Sequence, residues 1–237
     1  MPSDELLRTA LVRAAADDDQ AAALAAGQRR HWSQILSARA DRYGAEPSVP
    51  ASAAAERFSA AGAVELLELG AGQGRDSVFF ARQGFTVHAL DFAHCGVTAI
   101  RGKARAVVPA LPLSASVHDC RDALPFPDAS FDACFSHMLY CMALTTPQLE
   151  ALTAEVRRVL RPGGLQVYTA RTTADADYGA GVSHGDDMCE AGGFVVHFFS
   201  RELVERLARG FDLLGVAEFE EGELPRRLFR VTQRRPV

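Results

Sequence analysis

The sequence predicts an α/β fold: a mostly parallel sheet with helices on both faces and an antiparallel strand at the C-terminal end. Three observations predict it. Val64–Asp91 reads VELLELGAGQGRDSVFFARQGFTVHALD, which is strand, glycine loop, helix, strand and a closing acid. A helical pattern over 146–160 breaks at RPGG and enters the apolar run Leu165–Ala170, the usual connection into a central parallel strand. The chain finishes in two strands, 211–219 and 228–233, joined by EEGELPRR, so the last one runs antiparallel.

The elements follow in order. Residues 4–26 read as an alanine-rich helix, or two such helices, stopped by Gly27, and 29–42 as the next helix. YGAEPSVPAS is a loop with two prolines, and Ala51–Ala61 is a third helix ended by Gly62. These helices form an N-terminal appendage over 1–62, and the main domain spans 63–237. Within it the strands are 65–69, 86–90, 114–118, 131–136 and 165–170, followed by the final pair. Helices are expected from Asp76, over 92–106, over 146–160 and from Ser200, where SRELVERLARG has a capping-box shape.

Gly70, Gly72 and Gly74 let the strand turn sharply into the helix while exposing backbone to a ligand. The helix then points free N–H groups at that ligand. The spacing is G-x-G-x-G with Arg75 next, so the dinucleotide pattern G-x-G-x-x-G is not met. Three acids surround the loop: Glu68, Asp76 and Asp91. They would repel a pyrophosphate but suit a ligand with a ribose diol, an ammonium and a sulfonium. S-adenosylmethionine (AdoMet) is such a ligand. Asp91, at a strand end 17 residues after Gly74, reads as the ribose acid. Asp76 reads equally as a ligand contact or as an acid favoured by the helix dipole.

Composition narrows the class. A chain of 237 residues with 48% hydrophobic and 23% charged residues suits one globular core. A net charge of −5 argues against nucleic acid or an anionic membrane as the main partner. The five cysteines (Cys95, Cys120, Cys134, Cys141, Cys189) form no C-x-x-C and no zinc spacing, which fits a reducing compartment. No leader or membrane-length apolar run is read, so the expected location is the cytoplasm.

At ELGAGQGRDS, ALDFA, HDCRDALPFPDASFD and RVLRPGGLQVYTAR the chain resembles the successive motifs of class I AdoMet-dependent methyltransferases. The resemblance covers roughly residues 60–237 and looks closest to small-molecule enzymes of the type 11 and tellurite- and thiopurine-methyltransferase-like groups. It implies a Rossmann-like class I methyltransferase fold with a seven-stranded sheet, AdoMet as cofactor and S-adenosylhomocysteine as product. By the same resemblance, Asp119 accepts the adenine N6 hydrogens and the Cys120 backbone N–H binds N1. Phe92 then packs on adenine, or else is plain core. The N-terminal helices become a lid over the cofactor, with Tyr43 and Ser48 facing the methyl group, or simply cover a sheet edge.

The acceptor end is read from topology. Ligands lie at the carboxyl ends of the strands, which places Ser136, His137, Met138, Tyr140 and Cys141 near the reacting centre. Ser136 is assigned to the cofactor and Tyr140 to the substrate. His137 is either a general base or a neutral histidine bonded to backbone. Residues 171–197 have no clear periodicity, five glycines and five acids, and read as a substrate-recognition loop over the site. Its candidates are Arg171, Tyr178, His184, Asp186 and Asp187, with His184 a second possible base. HGDD with Glu190 and His197 offers metal-ligand chemistry at no standard spacing, so no metal is predicted. The expected activity is methyl transfer from AdoMet to a small molecule with an O, N, S or chalcogen nucleophile, by a monomer or homodimer. The rivals are a non-catalytic AdoMet-binding scaffold on the same fold and, behind it, a nicotinamide-dependent oxidoreductase.

Overall fold

The computed structural model describes residues 3–107, 109–222 and 226–237. The apolar runs β1 (Glu65–Leu69), β2 (Thr86–Asp91), β3 (Leu113–Val117), β4 (Phe131–Ser136) and β5 (Leu160–Arg171) pair in parallel. Two longer strands, β9 (Asp212–Glu221) and β10 (Arg226–Arg234), complete the sheet in the order β3-β2-β1-β4-β5-β10-β9. β10 is antiparallel to both of its neighbours, so β9 again points the same way as β5. The turn joining them includes 223–225, which lie outside the described residues.

β1 shows why helices cover both faces. Leu66, Leu67 and Leu69 are all essentially inaccessible to solvent, and successive side chains of a strand point to opposite faces. Leu66 enters a core with Phe58, Phe80, Phe85 and Phe135, built by α2 (Val49–Ala60) and α3 (Arg75–Arg82). Leu67 and Leu69 enter the larger core on the other face, with Leu149, Leu152 and Val156 of α5 (Thr146–Val159). α4 (His94–Ala106) adds Val97 and Ile100 against Ala89 and Ala115. α5 begins at a complete capping box, Thr145 with Gln148. α6 (Arg201–Leu207) has only the serine half, because its third residue is Leu203.

The N-terminus departs from the expected separate helices. α1 (Ser3–Ala38) is one helix of 36 residues that passes through Gly27. An interior glycine costs about 1 kcal/mol relative to alanine, but the flanking turn is anchored. The Gln28 side chain bonds Gly193 O at 2.9 Å and Val195 N at 3.2 Å, and the rings of His31 and Trp32 meet Phe194 edge-on. β5 also begins earlier than expected. It runs through RPGG, where Asp132 alone of β4 lies opposite four residues of β5, 161–164, and Gly163 takes φ 81°.

Residues 171–197 are not an irregular loop. They hold a three-stranded antiparallel sheet of β6 (Val182–Gly185), β7 (Met188–Ala191) and β8 (Phe194–His197). Two-residue turns join the strands. Asp186 and Asp187 have φ 52° and 54°, and Gly192 and Gly193 have φ 60° and 81°. Two consecutive positive values are what the tight hairpin turn matching strand twist requires.

Candidate active site

A cavity of about 360 Å³ opens at the carboxyl ends of β1, β2 and β4, within the range of small-molecule sites. Its floor is the glycine loop, where the three glycines do different work. A Cβ on Gly70 would lie 2.9 Å from Leu139 Cβ, and one on Gly74 2.5 Å from Ile100 Cγ1. Those two are required by packing, and Gly74 does not line the cavity. Gly72, at φ 56°, meets nothing within 4 Å and lines the cavity with bare backbone. α4 abuts the same residue from behind, since a Cβ on Gly96 would lie 2.3 Å from Gly72 O.

Asp91 stands on the cavity wall with its carboxylate on two backbone donors, Gly72 N and Ala93 N, each at 2.7 Å. Burial outweighs those bonds and pushes its carboxyl up to about 6. Glu68, also on the wall and buried, accepts from the Ser77 hydroxyl. Burial and then the Asp76 charge hold its carboxyl well above the usual range. Asp76 itself has a structural task. It accepts from Ser48 N at 2.7 Å and Ser48 Oγ at 2.8 Å, and that hydroxyl in turn caps α2 by accepting from Ala51 N. Ser48 is therefore buried at a helix start and does not line the cavity.

On the β2 side, Phe92 lines both the cavity and a small recess shared with Leu90, His118, Cys120 and Leu139. His118 Nε2 is buried there with no partner among the described residues. Burial pushes the Cys120 thiol up to about 12, so it is inert near neutral pH. Asp119 is not on the cavity lining. Arg121 grips it through Nε at 2.9 Å and Nη2 at 2.7 Å, and Arg29 of α1 lies 3.3 Å away. Burial pulls its carboxyl upward, but the Arg121 bonds prevail and leave it below the usual range.

His137 lines the cavity beyond the end of β4. Its Nδ1 lies 2.8 Å from Thr169 Oγ1 and its Nε2 3.3 Å from Glu221 Oε2. Thr169 Oγ1 also accepts Met138 N–H at 2.9 Å, which holds Met138 in the left-handed region at φ 66°. Tyr43 lines the cavity with the Arg75 guanidinium 5.9 Å from its ring centre.

Among the lining residues that escaped sequence reasoning are Trp32, Gln73, Glu221 and Arg226. Gln73 carried a usable signal, because a long amide inside a glycine loop has an exposed backbone to bind. Its Nε2 donates to Leu36 O at 2.9 Å and Arg39 O at 2.8 Å, and its Oε1 accepts from Arg42 N at 2.9 Å. Lys103 bonds Gln73 O at 3.0 Å and Asp41 at 2.6 Å. These bonds hold segment 36–44 over the glycine loop.

Several expected site residues lie elsewhere. Tyr140 is fully buried, stacked on Tyr168 at 4.2 Å, with its hydroxyl accepting from Gln166 at 2.7 Å. It is core, not a substrate contact. Ser136 is equally buried, and its hydroxyl ties β4 to Leu69 O of β1 at 3.2 Å. Arg171 is buried against Asp175 and Asp177 with its guanidinium over Phe198, so its charge is spent inside the fold. Tyr178 donates to Asp187 at 2.7 Å, and His184 pairs with Glu190 at 2.9 Å. Asp186 caps α5 through Thr146 N and Oγ1. None of Arg171, Tyr178, His184, Asp186 and Asp187 lines the cavity, because pairing within the small sheet turns that segment onto α1 and α5. Among the described residues, no three His, Cys, Asp or Glu side chains converge to hold a metal, and no helix is long and apolar enough to cross a membrane.

Comparison with known proteins fits this geometry. Residues 66–164 match a methyltransferase domain family. No curated protein matches in sequence. Among solved structures, the chain resembles a 1,6-didemethyltoxoflavin-N1-methyltransferase from Burkholderia thailandensis with bound S-adenosylhomocysteine. The identity is 16%, the TM-score 0.70, and 90% of this chain and 89% of that one are covered. An AdoMet-dependent methyltransferase from Methanosarcina mazei gives 18% identity and TM-score 0.64 over 73% and 92% of the two chains. The [4+2]-cyclase SpnF gives 19% and 0.63 over 79% and 80%. At such identities the likeness shows a shared fold. The domain match over 66–164 lies inside a fold that this chain shares with AdoMet-dependent methyltransferases.

Proposed function

We propose that the protein methylates a small molecule, binding AdoMet along the carboxyl ends of β1, β2 and β4. One observation carries the reading: a buried carboxylate, Asp91, and the bare backbone of Gly72 meet on the wall of a cavity of small-molecule size. Asp91 takes the ribose diol, Gly70 and Gly72 offer backbone to the cofactor, and Phe92 packs on adenine. Glu68 adds buried carboxyl oxygens to the wall beside the ligand. The recess at His118 and Cys120 takes the adenine edge, where the orphaned His118 Nε2 finds a partner. Asp119 then acts through Arg121 and Arg29 and not on the base itself.

In this reading residues 1–62 are a lid and 63–237 the methyltransferase domain. The Gln73 bonds support it, because they tie the segment after α1 to the cofactor loop. A closed lid excludes water and aligns the two reactants. AdoMet held there would supply an electrophilic methyl group on its sulfonium, with the sulfur as leaving group. Trp32, Tyr43, Met138 and Met142 provide a largely apolar enclosure for the acceptor.

Thermal-shift measurements with AdoMet and with NAD, added separately, test the cofactor site, since only a ligand of the native state raises the melting temperature. A panel of small molecules assayed for S-adenosylhomocysteine release tests the reaction. Stabilisation by NAD alone refutes the site. Tight AdoMet binding with no acceptor methylated favours the scaffold reading instead.

A further inference from the structure

The β9–β10 hairpin carries the next inference, which rests on the methyltransferase reading above. β10 pairs with β5 only as far as Leu228 opposite Arg171, yet β9 and β10 continue pairing to Glu221 opposite Arg226. Because β9 points the same way as β5, Glu221 lies at the carboxyl edge of the sheet, where ligands of such folds bind. The overhanging tip reaches the cavity and places Glu221 and Arg226 on its lining beside His137. The result is a chain of polar groups from three strands: Thr169 of β5, His137 after β4 and Glu221 of β9.

We infer that Glu221 is the proton acceptor of the transfer, and that the acceptor substrate carries its nucleophile as an N–H or O–H and not as a thiolate or chalcogen anion. The geometry selects this class. Thr169 Oγ1 accepts from Met138 N and lies 2.8 Å from His137 Nδ1, so that ring nitrogen is engaged whichever of the two donates. A carboxylate only accepts, so it is the Nε2–H of His137 that faces Glu221 Oε2, 3.3 Å away. Neither ring nitrogen has a free lone pair for a substrate. Oε1 of Glu221 does: it makes no hydrogen bond among the described residues.

The carboxyl of Glu221 is held below its usual range, chiefly by the His137 hydrogen bond and then by the charges of His137, Arg75 and Arg226, against the effect of burial. These are the charged groups facing it from β4, α3 and β10. A charged carboxylate accepts a hydrogen bond from N–H or O–H and orients that nucleophile. It repels an anionic one. As the new bond to carbon forms, the proton leaves the nucleophile for Glu221 Oε1. The side chain is one-third exposed, so the proton then passes to water, and one proton is released per methyl transferred. His137 and Thr169 are positioning residues.

The test uses the full chain with AdoMet and three acceptor sets: aromatic amines and phenols, alkyl and aryl thiols, and selenite with tellurite. S-adenosylhomocysteine release is followed for the wild type, E221Q and H137N, and the AdoMet Kd of each is measured by calorimetry. An amine or phenol should be methylated. E221Q should lower kcat about 100-fold or more, remove the loss of rate on the acid side of the pH profile, and leave the AdoMet Kd within about twofold. H137N should cost less and shift the acid limb upward, as the carboxyl loses its hydrogen bond. Methylation confined to thiols, selenite or tellurite overturns the inference, as does a panel with no amine or phenol methylated. So does E221Q with wild-type kcat, or with a change in KM alone. Failure of the wild type to bind AdoMet is a different result: it sinks the underlying reading and not only the role of Glu221.

Discussion

Lowering the pH should weaken cofactor binding through one group, Asp91. Its carboxyl sits among buried atoms and titrates near 6 in the free protein, against 3.8 ordinarily. A ribose diol donates to the carboxylate, so only the deprotonated form is competent. Below about pH 6 one proton must leave before the ligand binds, and affinity falls about tenfold, or ~1.4 kcal/mol, per pH unit. Folding moves the opposite way. A raised carboxyl stabilises the free fold most at low pH, and that contribution, up to about 3 kcal/mol, is lost as pH rises through 6. The free protein should therefore gain stability from mild acid over the same range in which it loses its ligand. Calorimetry with S-adenosylhomocysteine, which retains the diol, from about pH 5 to about pH 8 measures the slope. Asp91→Asn should abolish it and weaken binding throughout. A Kd flat across this range, or a slope that survives in Asp91→Asn, refutes the argument, and a surviving slope would pass the assignment to Glu68.

The other predictions concern the frame of the site. Gly72→Ala and Gly74→Ala should separate binding from folding. The Gly72 side is open, so its variant should lose AdoMet affinity with about 1 kcal/mol of stability, whereas the Gly74 variant strikes Ile100 and should lose several degrees of melting temperature. Gln73→Ala removes three hydrogen bonds to segment 36–42. Limited proteolysis should then cut near that segment, with AdoMet protecting the variant less than the wild type. Tyr140→Phe leaves Gln166 Nε2 without its buried acceptor and should cost about 1–3 kcal/mol in urea unfolding. Its kcat and KM should stay at wild-type values, and a changed KM would return Tyr140 to the substrate site.

What could be read from the chain was what backbone physics leaves no choice about. The run Glu65–Leu69, three glycines that all take positive φ, and an acid closing β2 admit one local structure, and β1, β4 and the edge hairpin follow the apolar pattern closely. The acceptor side was less legible, because it depends on where distant segments meet. Glu221 lies far along the chain from His137, and nothing local announces that a hairpin overhangs the sheet. Tyr140 has the composition of a site residue and the packing of a core residue, and only its stacking on Tyr168 decides the matter. The small sheet did leave a trace: Asp186-Asp187 and Gly192-Gly193 are paired turn residues six positions apart. Four-residue strands with little apolar alternation hid it. Gly27 misled in the other direction, since a helix pinned by Gln28 tolerates a glycine that an isolated one would not.

Gln28 has a wider consequence. β8 is the outer strand of its small sheet, and such a strand presents unpaired backbone groups on which another polypeptide can zip up. One amide side chain covers both a donor and an acceptor of that margin, Val195 N and Gly193 O. On the proposed lid reading, swinging α1 outward to admit substrate would strip this cover, and each opening would briefly uncover a surface prone to self-association. Solubility at high protein concentration should then improve when the cofactor keeps the gate shut, and a short opening has an advantage unrelated to turnover.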